Sequence, residues 1–107
     1  MAQRSRDFCV TDFKMEEGFW DRMWEELKMT YFICGAEVAP ETGRPHYQIY
    51  FHTENAHHKK AIIKKLEGRH MDICRGSPEE NKKYCSKGGN FVEHGELPKQ
   101  GRQVDLS

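Results

Sequence analysis

Residues 30–53 read TYFICGAEVAPETGRPHYQIYFHT, and this stretch decides the fold. Residues 30–37 and 46–53 are rich in β-branched and aromatic side chains, which is typical of β-strands. The eight residues between them include two prolines and a glycine, which indicates a loop. The stretch therefore predicts an antiparallel hairpin of two strands.

The segments on either side of the hairpin predict three more strands and three helices. Residues 8–13 predict a strand. Residues 16–29 predict a helix, because their apolar side chains recur at the helical period, and we expect both tryptophans of this segment in the core. The elements predicted after the hairpin are a helix over 55–67, a strand over 69–75, a helix that begins with the capping box of 77–80 and ends at 87, and a strand over 90–97.

The predicted order, β-α-β-β-α-β-α-β, places the chain in the α+β class. It contains the split β-α-β arrangement of ferredoxin-like and RRM-like folds. We therefore expect an antiparallel five-stranded sheet with flanking helices, largely on one face. No internal repeat or linker divides the sequence, so residues 1–107 are expected to form a single domain, with a flexible tail over about 98–107.

Composition excludes several classes of protein. The chain has 107 residues, of which 36% are hydrophobic and 32% charged, and its mean hydropathy is −0.91. No apolar run approaches the ~18–20 residues that span a bilayer, and the N-terminal segment lacks the apolar stretch of a signal peptide. The cysteines are widely spaced, without a CxxC pair, so we expect reduced thiols in an intracellular protein. They are Cys9, Cys34, Cys74 and Cys85.

Charge is unevenly distributed along a chain whose formal net charge is +0. Residues 1–53 contain 6 Lys and Arg against 9 Asp and Glu, and residues 54–107 contain 11 against 8. Within residues 57–89 the counts are 9 and 4. This asymmetry favours a local site for a polyanion, although a solvated lysine-rich helix face explains it equally well.

Two small groups of residues have the chemistry of a reactive site. His46 and Gln48 are two apart on a predicted strand, so they project from the same face, and hairpin pairing brings Glu37 close to them. One nitrogen and two oxygen donors suit Mn²⁺ or Mg²⁺, although the same side chains also suit a polar sheet face. Tyr84 and Lys87 share a face of the third predicted helix, where a phenol and an ammonium become neighbours.

Three motifs in this order resemble the N-terminal domain of rolling-circle replication initiator (Rep) proteins in the HUH endonuclease superfamily. The sequence is most similar to Reps of circovirus-like circular single-stranded DNA viruses. The motifs are FCVTDF at residues 8–13, HYQ at residues 46–48 and YCSK at residues 84–87. The resemblance extends over about residues 8–97.

The resemblance implies a sequence-specific endonuclease and strand transferase that acts on single-stranded DNA at a stem-loop origin. It implies that Tyr84 attacks the scissile phosphate and forms a 5′-phosphotyrosine, assisted by Lys87. It also implies that Glu37, His46 and Gln48 hold Mn²⁺ or Mg²⁺. The released 3′-OH then serves a host replication polymerase, and the protein acts in the host nucleus if the virus infects eukaryotes.

DNA contacts are predicted from the basic stretch and from the first motif. The candidates are Arg6, Thr11, Arg75 and Lys83. Exposed bases are expected to stack on sheet aromatics or on arginine planes. We also expect no membrane partner and no nucleotide cofactor in this domain. The lysines of the second helix are expected to add affinity for the DNA backbone.

The sequence departs from the family pattern at two motifs. Thr11 and Asp12 stand where the first motif usually has Asn, and Gln48 replaces a second histidine. A P-loop motif GxxxxGK[ST], which belongs to the helicase domain of full-length members, is absent from these residues. We therefore expect this chain to be a domain of a longer Rep, or a protein that lacks the helicase motor.

Two other functions fit parts of the sequence. A non-catalytic RRM-like module that binds single-stranded nucleic acid fits the fold class, and KGGNFV at residues 87–92 loosely resembles an RNA-binding strand. A structural zinc domain is the second alternative, although no pair of ligand pairs has finger-like spacing. Its candidate ligands are His52, His57, His58, Cys74 and Cys85.

Overall fold

The computed structural model describes residues 3–99, which form five strands and three helices in the predicted order. The bounds are β1 (Arg4–Asp12), α1 (Phe19–Glu26), β2 (Met29–Val38), β3 (Pro45–His58), α2 (Lys59–Lys65), β4 (His70–Ile73), α3 (Pro78–Ser86) and β5 (Phe91–Gly95).

The strands form one sheet in the order β4-β1-β3-β2-β5, and every neighbouring pair is antiparallel. This confirms the α+β class and the five-stranded antiparallel sheet. The predicted hairpin is β2 and β3, which pair from Val38 opposite Pro45 to Met29 opposite Thr53. In its register, Glu37 lies opposite His46 and Gly35 lies opposite Gln48.

Helices cover both faces of the sheet. Helices α1 and α2 pack on one face, where Phe19, Trp20 and Met23 of α1 join Ile62 of α2 in the main core. Helix α3 covers the other face, where Cys85 packs with three residues of β2 and β3. Those residues are Tyr31, Ile33 and Tyr50. The expectation that helices lie largely on one face therefore holds for α1 and α2 and is wrong for α3.

The physical reason is that β2 is apolar on both sides. Tyr31 and Ile33 point to one face and Phe32 and Cys34 to the other, and all four are buried. A central strand that is apolar on both faces requires a covering layer on each side. Helix α3 supplies the second layer.

Most element boundaries differ from the prediction by a few residues, and two of the differences have a clear physical cause. Residues 55–58, predicted as the start of a helix, continue β3, because Arg4 and Ser5 of β1 pair with His58 and His57. Helix α1 is shorter than residues 16–29, since it begins after Gly18, whose φ is +83°. The capping box of α3 is confirmed, because Ser77 Oγ accepts from the Glu80 amide at 3.1 Å and Glu80 Oε1 accepts from the Ser77 amide at 2.9 Å.

The prediction that all four cysteines are reduced thiols is wrong for one pair. Cys9 of β1 and Cys74, just after β4, form a disulfide. The antiparallel pairing of β1 with β4 brings them together across a sequence separation of 65 residues. Cys34 and Cys85 are free and buried.

Two further predictions concern membrane-spanning segments and the C-terminal tail. Within residues 3–99, no helix is long and apolar enough to cross a membrane. The predicted tail over about 98–107 falls almost entirely on residues 100–107, which lie outside the described part of the chain.

Candidate nuclease site

Glu37, His46 and Gln48 lie on the face of the sheet that α3 covers. His46 and Gln48 are alternate residues of β3, and Glu37 pairs with His46 from β2. His46 Nε2 lies 3.8 Å from Glu37 Oε1, and the two side chains are only 11% and 16% exposed. The strand pairing thus places a carboxylate beside an imidazole, and Gln48 follows on the same face of β3 two residues further along.

Helix α3 brings Tyr84 and Lys87 to the same place. Lys87 Nζ donates to both carboxylate oxygens of Glu37, at 3.0 and 2.8 Å. The same ammonium lies 3.9 Å from the centre of the Tyr84 ring. Tyr84 is 54% exposed, so its phenol is open to a large substrate. The site is a cluster in which an exposed phenol, an ammonium and a shielded carboxylate are neighbours.

Gly35 allows α3 to lie directly on the sheet. A Cβ built on Gly35 would collide with the Cys85 carbonyl oxygen of α3, so any side chain there would push the helix outward. Cys85 is itself 2% exposed, and its burial raises the pKa of the thiol to about 12. The structure therefore confirms that Cys85 is a packing residue, and it anchors the helix that carries Tyr84.

We expect Gly35→Ala to separate Tyr84 from the carboxylate. The new methyl group meets backbone, which cannot move aside as a flexible side chain does, so we expect a loss of about 1–3 kcal/mol in the free energy of unfolding. Urea denaturation measures this loss. Gly88→Ala is the matched control, because a Cβ there meets only ordinary contacts with Glu37. Equal stability of the two variants would contradict the role of Gly35.

The donors of the site fit a small divalent cation. Two ligand atoms that share one ion with bonds of about 2.1 Å lie no more than about 4.2 Å apart, and the 3.8 Å between His46 and Glu37 satisfies this limit. Gln48 projects from the same face as His46. In addition, the carboxylate already holds one cationic group, the Lys87 ammonium. The donor set and its partial burial are suited to Mn²⁺ or Mg²⁺.

The four predicted DNA contacts divide into two regions. Thr11 pairs with Gln48, so it lies beside the site. Lys83 is exposed on α3, one turn before Lys87. Arg6 is five residues from Thr11 along β1, roughly 17 Å away at the usual strand rise. Arg75 follows β4 at that same far end, where Phe8 pairs with Ile73. Arg6 and Arg75 are exposed but remote from Tyr84.

The lysines of α2 are on the opposite side of the sheet from Tyr84. Helix α2 packs through Ile62 on the α1 face, whereas α3 covers the other face. Lys65 and Lys59 also form ion pairs, with Glu26 at 2.8 Å and Asp72 at 3.8 Å. These lysines therefore lie away from Tyr84, and their contribution to DNA affinity stays a prediction.

Two exposed residues beside the site were not among the predicted contacts. The Phe13 ring is 40% exposed and lies 5.3 Å from the His46 ring, centre to centre. The exposed Arg44 guanidinium lies over the Phe13 ring, 4.1 Å from the ring centre. The loop before β3 positions Arg44, and only the pairing of β1 with β3 brings Phe13 to it. Only a weak feature of the sequence indicates Arg44, namely the GRP turn next to the HYQ motif.

Asp12, which departs from the family pattern, is a structural residue. Its carboxylate is fully buried and accepts from Trp20 Nε1 at 2.8 Å and from the Lys14 amide at 2.9 Å. Arg69, also buried, pairs with it at 3.0 Å. Burial by itself raises the pKa of Asp12, but these hydrogen bonds and the arginine outweigh it, and the net pKa is lowered. Asp12 thus joins β1, α1 and the segment before β4.

The two alternative functions fit the structure less well. An RRM binds nucleic acid on an open sheet face with exposed aromatics, whereas Tyr31 and Tyr50 are fully buried beneath α3. The candidate zinc ligands are dispersed, since Cys74 is bonded to Cys9 and His52 Nδ1 is paired with Asp7 at 2.7 Å. Among residues 3–99, no group of three or more His, Cys, Asp or Glu side chains could hold a metal ion, and the pair Glu37 and His46 would need the Gln48 amide as its third donor.

Comparison with known proteins identifies the family. Residues 6–88 match a protein family described as "Putative viral replication protein". The chain belongs to this viral Rep family. The match includes Glu37, the HYQ motif and the YCSK motif, so every residue of the cluster on the α3 face lies within it.

Relatives of this Rep domain occur in circular single-stranded DNA viruses. The Replication-associated protein of Human associated cyclovirus 1 is 39% identical over 104 residues, which cover 94% of this chain and 37% of that protein. That of Pigeon circovirus is 36% identical over 84 residues, or 78% of this chain and 26% of the relative. That of Beak and feather disease virus is 42% identical over 62 residues, or 58% and 21%. The Rep domain thus spans well under half the length of these relatives.

Proposed function

We propose that this Rep domain is a metal-dependent single-stranded DNA endonuclease and strand transferase of the HUH type, which nicks and rejoins a viral replication origin. The observation that carries the proposal is the position of Tyr84. Its phenol is exposed, and the ammonium against its ring also contacts the carboxylate of Glu37. This arrangement matches what phosphoryl transfer requires, a nucleophile beside positive charge.

The proposed reaction is a transesterification. The Tyr84 phenol loses its proton to solvent and its oxygen attacks the scissile phosphorus, which forms a tyrosine–phosphate bond to the 5′ end of the downstream strand. The bond from phosphorus to the upstream 3′-oxygen breaks, and that oxygen takes up a proton as a 3′-OH. Rejoining is the reverse: a 3′-OH attacks the phosphotyrosine and releases Tyr84. One phosphodiester replaces another, so no nucleotide cofactor is consumed.

Each residue of the cluster has a distinct role in this proposal. Lys87, against the Tyr84 ring, orients the phenol and stabilises negative charge as it develops. Glu37, His46 and Gln48 would hold a divalent cation, which when bound supplies Lewis-acid stabilisation of the phosphate. Gly35 and Cys85 keep α3 on the sheet, so the distance between Tyr84 and Glu37 is fixed by packing. Cys85, buried and protonated, takes no part in the chemistry.

The proposed substrate is the single-stranded loop of a stem-loop origin. Single-stranded DNA binds on aromatic and cationic surfaces, and Phe13, Arg44 and Lys83 supply such groups near the cluster. Thr11, opposite Gln48, adds a hydroxyl group. Arg6 and Arg75 remain candidates for the flanking strand only. We further propose that a host polymerase extends the released 3′-OH, in the host nucleus for a virus of eukaryotes.

Covalent capture of DNA tests this proposal. We would incubate the domain and Mn²⁺ with single-stranded oligonucleotides labelled at the 5′ or the 3′ end, including candidate origin loops and a randomised library. Denaturing gels should show an adduct that contains the 3′-labelled fragment and disappears with EDTA. Binding without any adduct across the library would overturn the nuclease function and leave a binding module.

A substitution pair at position 48 tests the cation site. We expect Gln48→Ala to weaken Mn²⁺ binding by about 10- to 100-fold, because one of three protein donors is lost. Gln48→His should retain binding, since imidazole is also a donor for such ions, and should shift preference toward ions that favour nitrogen. The rise in melting temperature that Mn²⁺ causes reports the Mn²⁺ affinity of each variant. An undiminished rise in Gln48→Ala would exclude Gln48 as a ligand.

A further inference from the structure

Two cations would use the Glu37 carboxylate: the Lys87 ammonium and the proposed divalent ion. In the structure, the Lys87 ammonium contacts both oxygens, at 3.0 and 2.8 Å, and no oxygen remains unpaired. The carboxylate is only 16% exposed, so water screens it weakly. The proposed cation site uses these same oxygens, together with His46 Nε2 at 3.8 Å. A dication bound to these oxygens would compete with the ammonium for them, because like charges at such short distances repel strongly.

Lys87 has a second contact available when it leaves Glu37. Its ammonium already lies 3.9 Å from the Tyr84 ring centre, and the Lys87 side chain is 46% exposed. Lys87 is the C-cap residue of α3, and its ammonium also donates to the Tyr84 carbonyl oxygen at 3.4 Å, so its contacts with Tyr84 remain when the contact with Glu37 is lost. A rotation of the Lys87 side chain would move its ammonium from the Glu37 carboxylate to the space above the Tyr84 ring. A phosphate must occupy this space to react with the phenol.

We propose that Lys87 is an internal counter-cation of Glu37 that a divalent cation displaces, so that metal binding releases the ammonium toward Tyr84 and its substrate. This inference rests on the proposed function and concerns how its two charged parts are coupled. Because such coupling is reciprocal, an anion that draws Lys87 toward Tyr84 also strengthens metal binding. The domain would then assemble its cationic groups around the phosphate only when both metal and DNA are present.

Metal affinity in the absence of DNA tests the competition. The probe is Mn²⁺ alone, with free Mn²⁺ measured by its electron paramagnetic resonance signal. We expect Lys87→Met to bind Mn²⁺ more tightly, about tenfold, which is an ordinary size for two coupled sites. Lys87→Arg keeps a cation beside Glu37 and should remain close to wild type.

Lys83→Met is the matched control, because it removes the same charge from the same helix. Lys83 is exposed, one turn away, and its ammonium makes no hydrogen bond or ion pair within the described residues. The Mn²⁺ affinity of Lys83→Met should differ from that of wild type by less than about twofold, because only a distant, screened charge is removed. An equal gain in both lysine variants would mean a general charge effect and would overturn the proposal.

Chemical reactivity of the wild-type lysine gives a second measurement that needs no variant. Acetylation by an N-hydroxysuccinimide ester, followed by peptide mass spectrometry, should label Lys87 several-fold faster with Mn²⁺ than without it, while Lys83 stays constant. Weaker or unchanged Mn²⁺ binding in Lys87→Met, or unchanged labelling of Lys87, would overturn the displacement. Failure of every variant to bind Mn²⁺ would also overturn it, whereas the Tyr84 adduct assay separately decides the nuclease.

Discussion

Tyr84→Phe is expected to abolish the protein–DNA adduct, with a fall of at least about a thousandfold in its rate of formation. The substitution removes the one oxygen that the proposed reaction joins to phosphorus. Tyr84 is 54% exposed and its hydroxyl has no hydrogen-bond partner within residues 3–99, so the free energy of unfolding should change by less than about 0.5 kcal/mol. The loss of adduct would therefore reflect chemistry and not folding.

Tyr47→Phe provides the matched control for this experiment. It makes the same chemical change on a strand of the same sheet, but Tyr47 packs against the main core on the face away from α3. Adduct formation should persist in this variant. Mass spectrometry of the digested wild-type adduct should place the nucleotide on the peptide that contains Tyr84. An adduct of normal yield in Tyr84→Phe would assign the nucleophile to another residue.

Local pattern was sufficient to predict the part of the site that lies on one hairpin. Alternation along β3 placed His46 and Gln48 on one face, and the short loop fixed β2 as the antiparallel neighbour. The approximate register then followed, because a slip of one residue would turn the apolar side chains of both strands to the wrong face. This is why the proximity of Glu37 to His46 was predictable without any tertiary information.

The position of α3 was not predictable in this way. Tyr84 is 38 residues beyond His46 in the sequence, and nothing in their spacing brings them together. The resemblance to Rep proteins associated them, and the structure gives the physical reason, which is a glycine on β2 that lets α3 touch the sheet. Gly35 lies inside the predicted strand over residues 30–37, and a glycine inside a strand often marks a close approach of another backbone.

Long-range pairing also explains the incorrect predictions. The Cys9–Cys74 disulfide forms because β1 and β4 are neighbours in the sheet. The order of elements along the chain does not predict this pairing. Residues 55–58 form strand because β1 extends back to Arg4, and no local signal distinguishes them from the start of a helix. In both cases the decisive interaction lies more than forty residues away in the sequence.

Asp12 provides the prediction with the largest effect on stability. Removal of its carboxylate takes away the one fully buried ion-pair partner of the Arg69 guanidinium, which keeps only the half-exposed Glu16 at 3.2 Å and Glu67 at 3.9 Å. It also leaves Trp20 Nε1 without its acceptor. We expect Asp12→Ala to lower the free energy of unfolding by about 3–5 kcal/mol. Urea denaturation measures this change. Asp72→Ala, in an ion pair that is largely exposed, should cost less than about 1 kcal/mol.

A double substitution distinguishes the buried charge from simple loss of packing. Asp12→Ala with Arg69→Met removes both charges, so the double variant should be more stable than Asp12→Ala alone. If the double variant is as unstable as the sum of the two single variants, the ion pair is not the source of the effect.

The pH dependence of unfolding gives an independent test of the same carboxylate. The pKa of Asp12 is lower in the folded protein than its ordinary value of 3.8, so its contribution is complete above that pH. The contribution is lost as the pH falls through the lower, folded value. Wild-type protein should therefore lose stability steeply below pH 3.8, and Asp12→Ala less steeply. Parallel curves for the two proteins would show that Asp12 is not the carboxylate on which the acid stability of this fold depends.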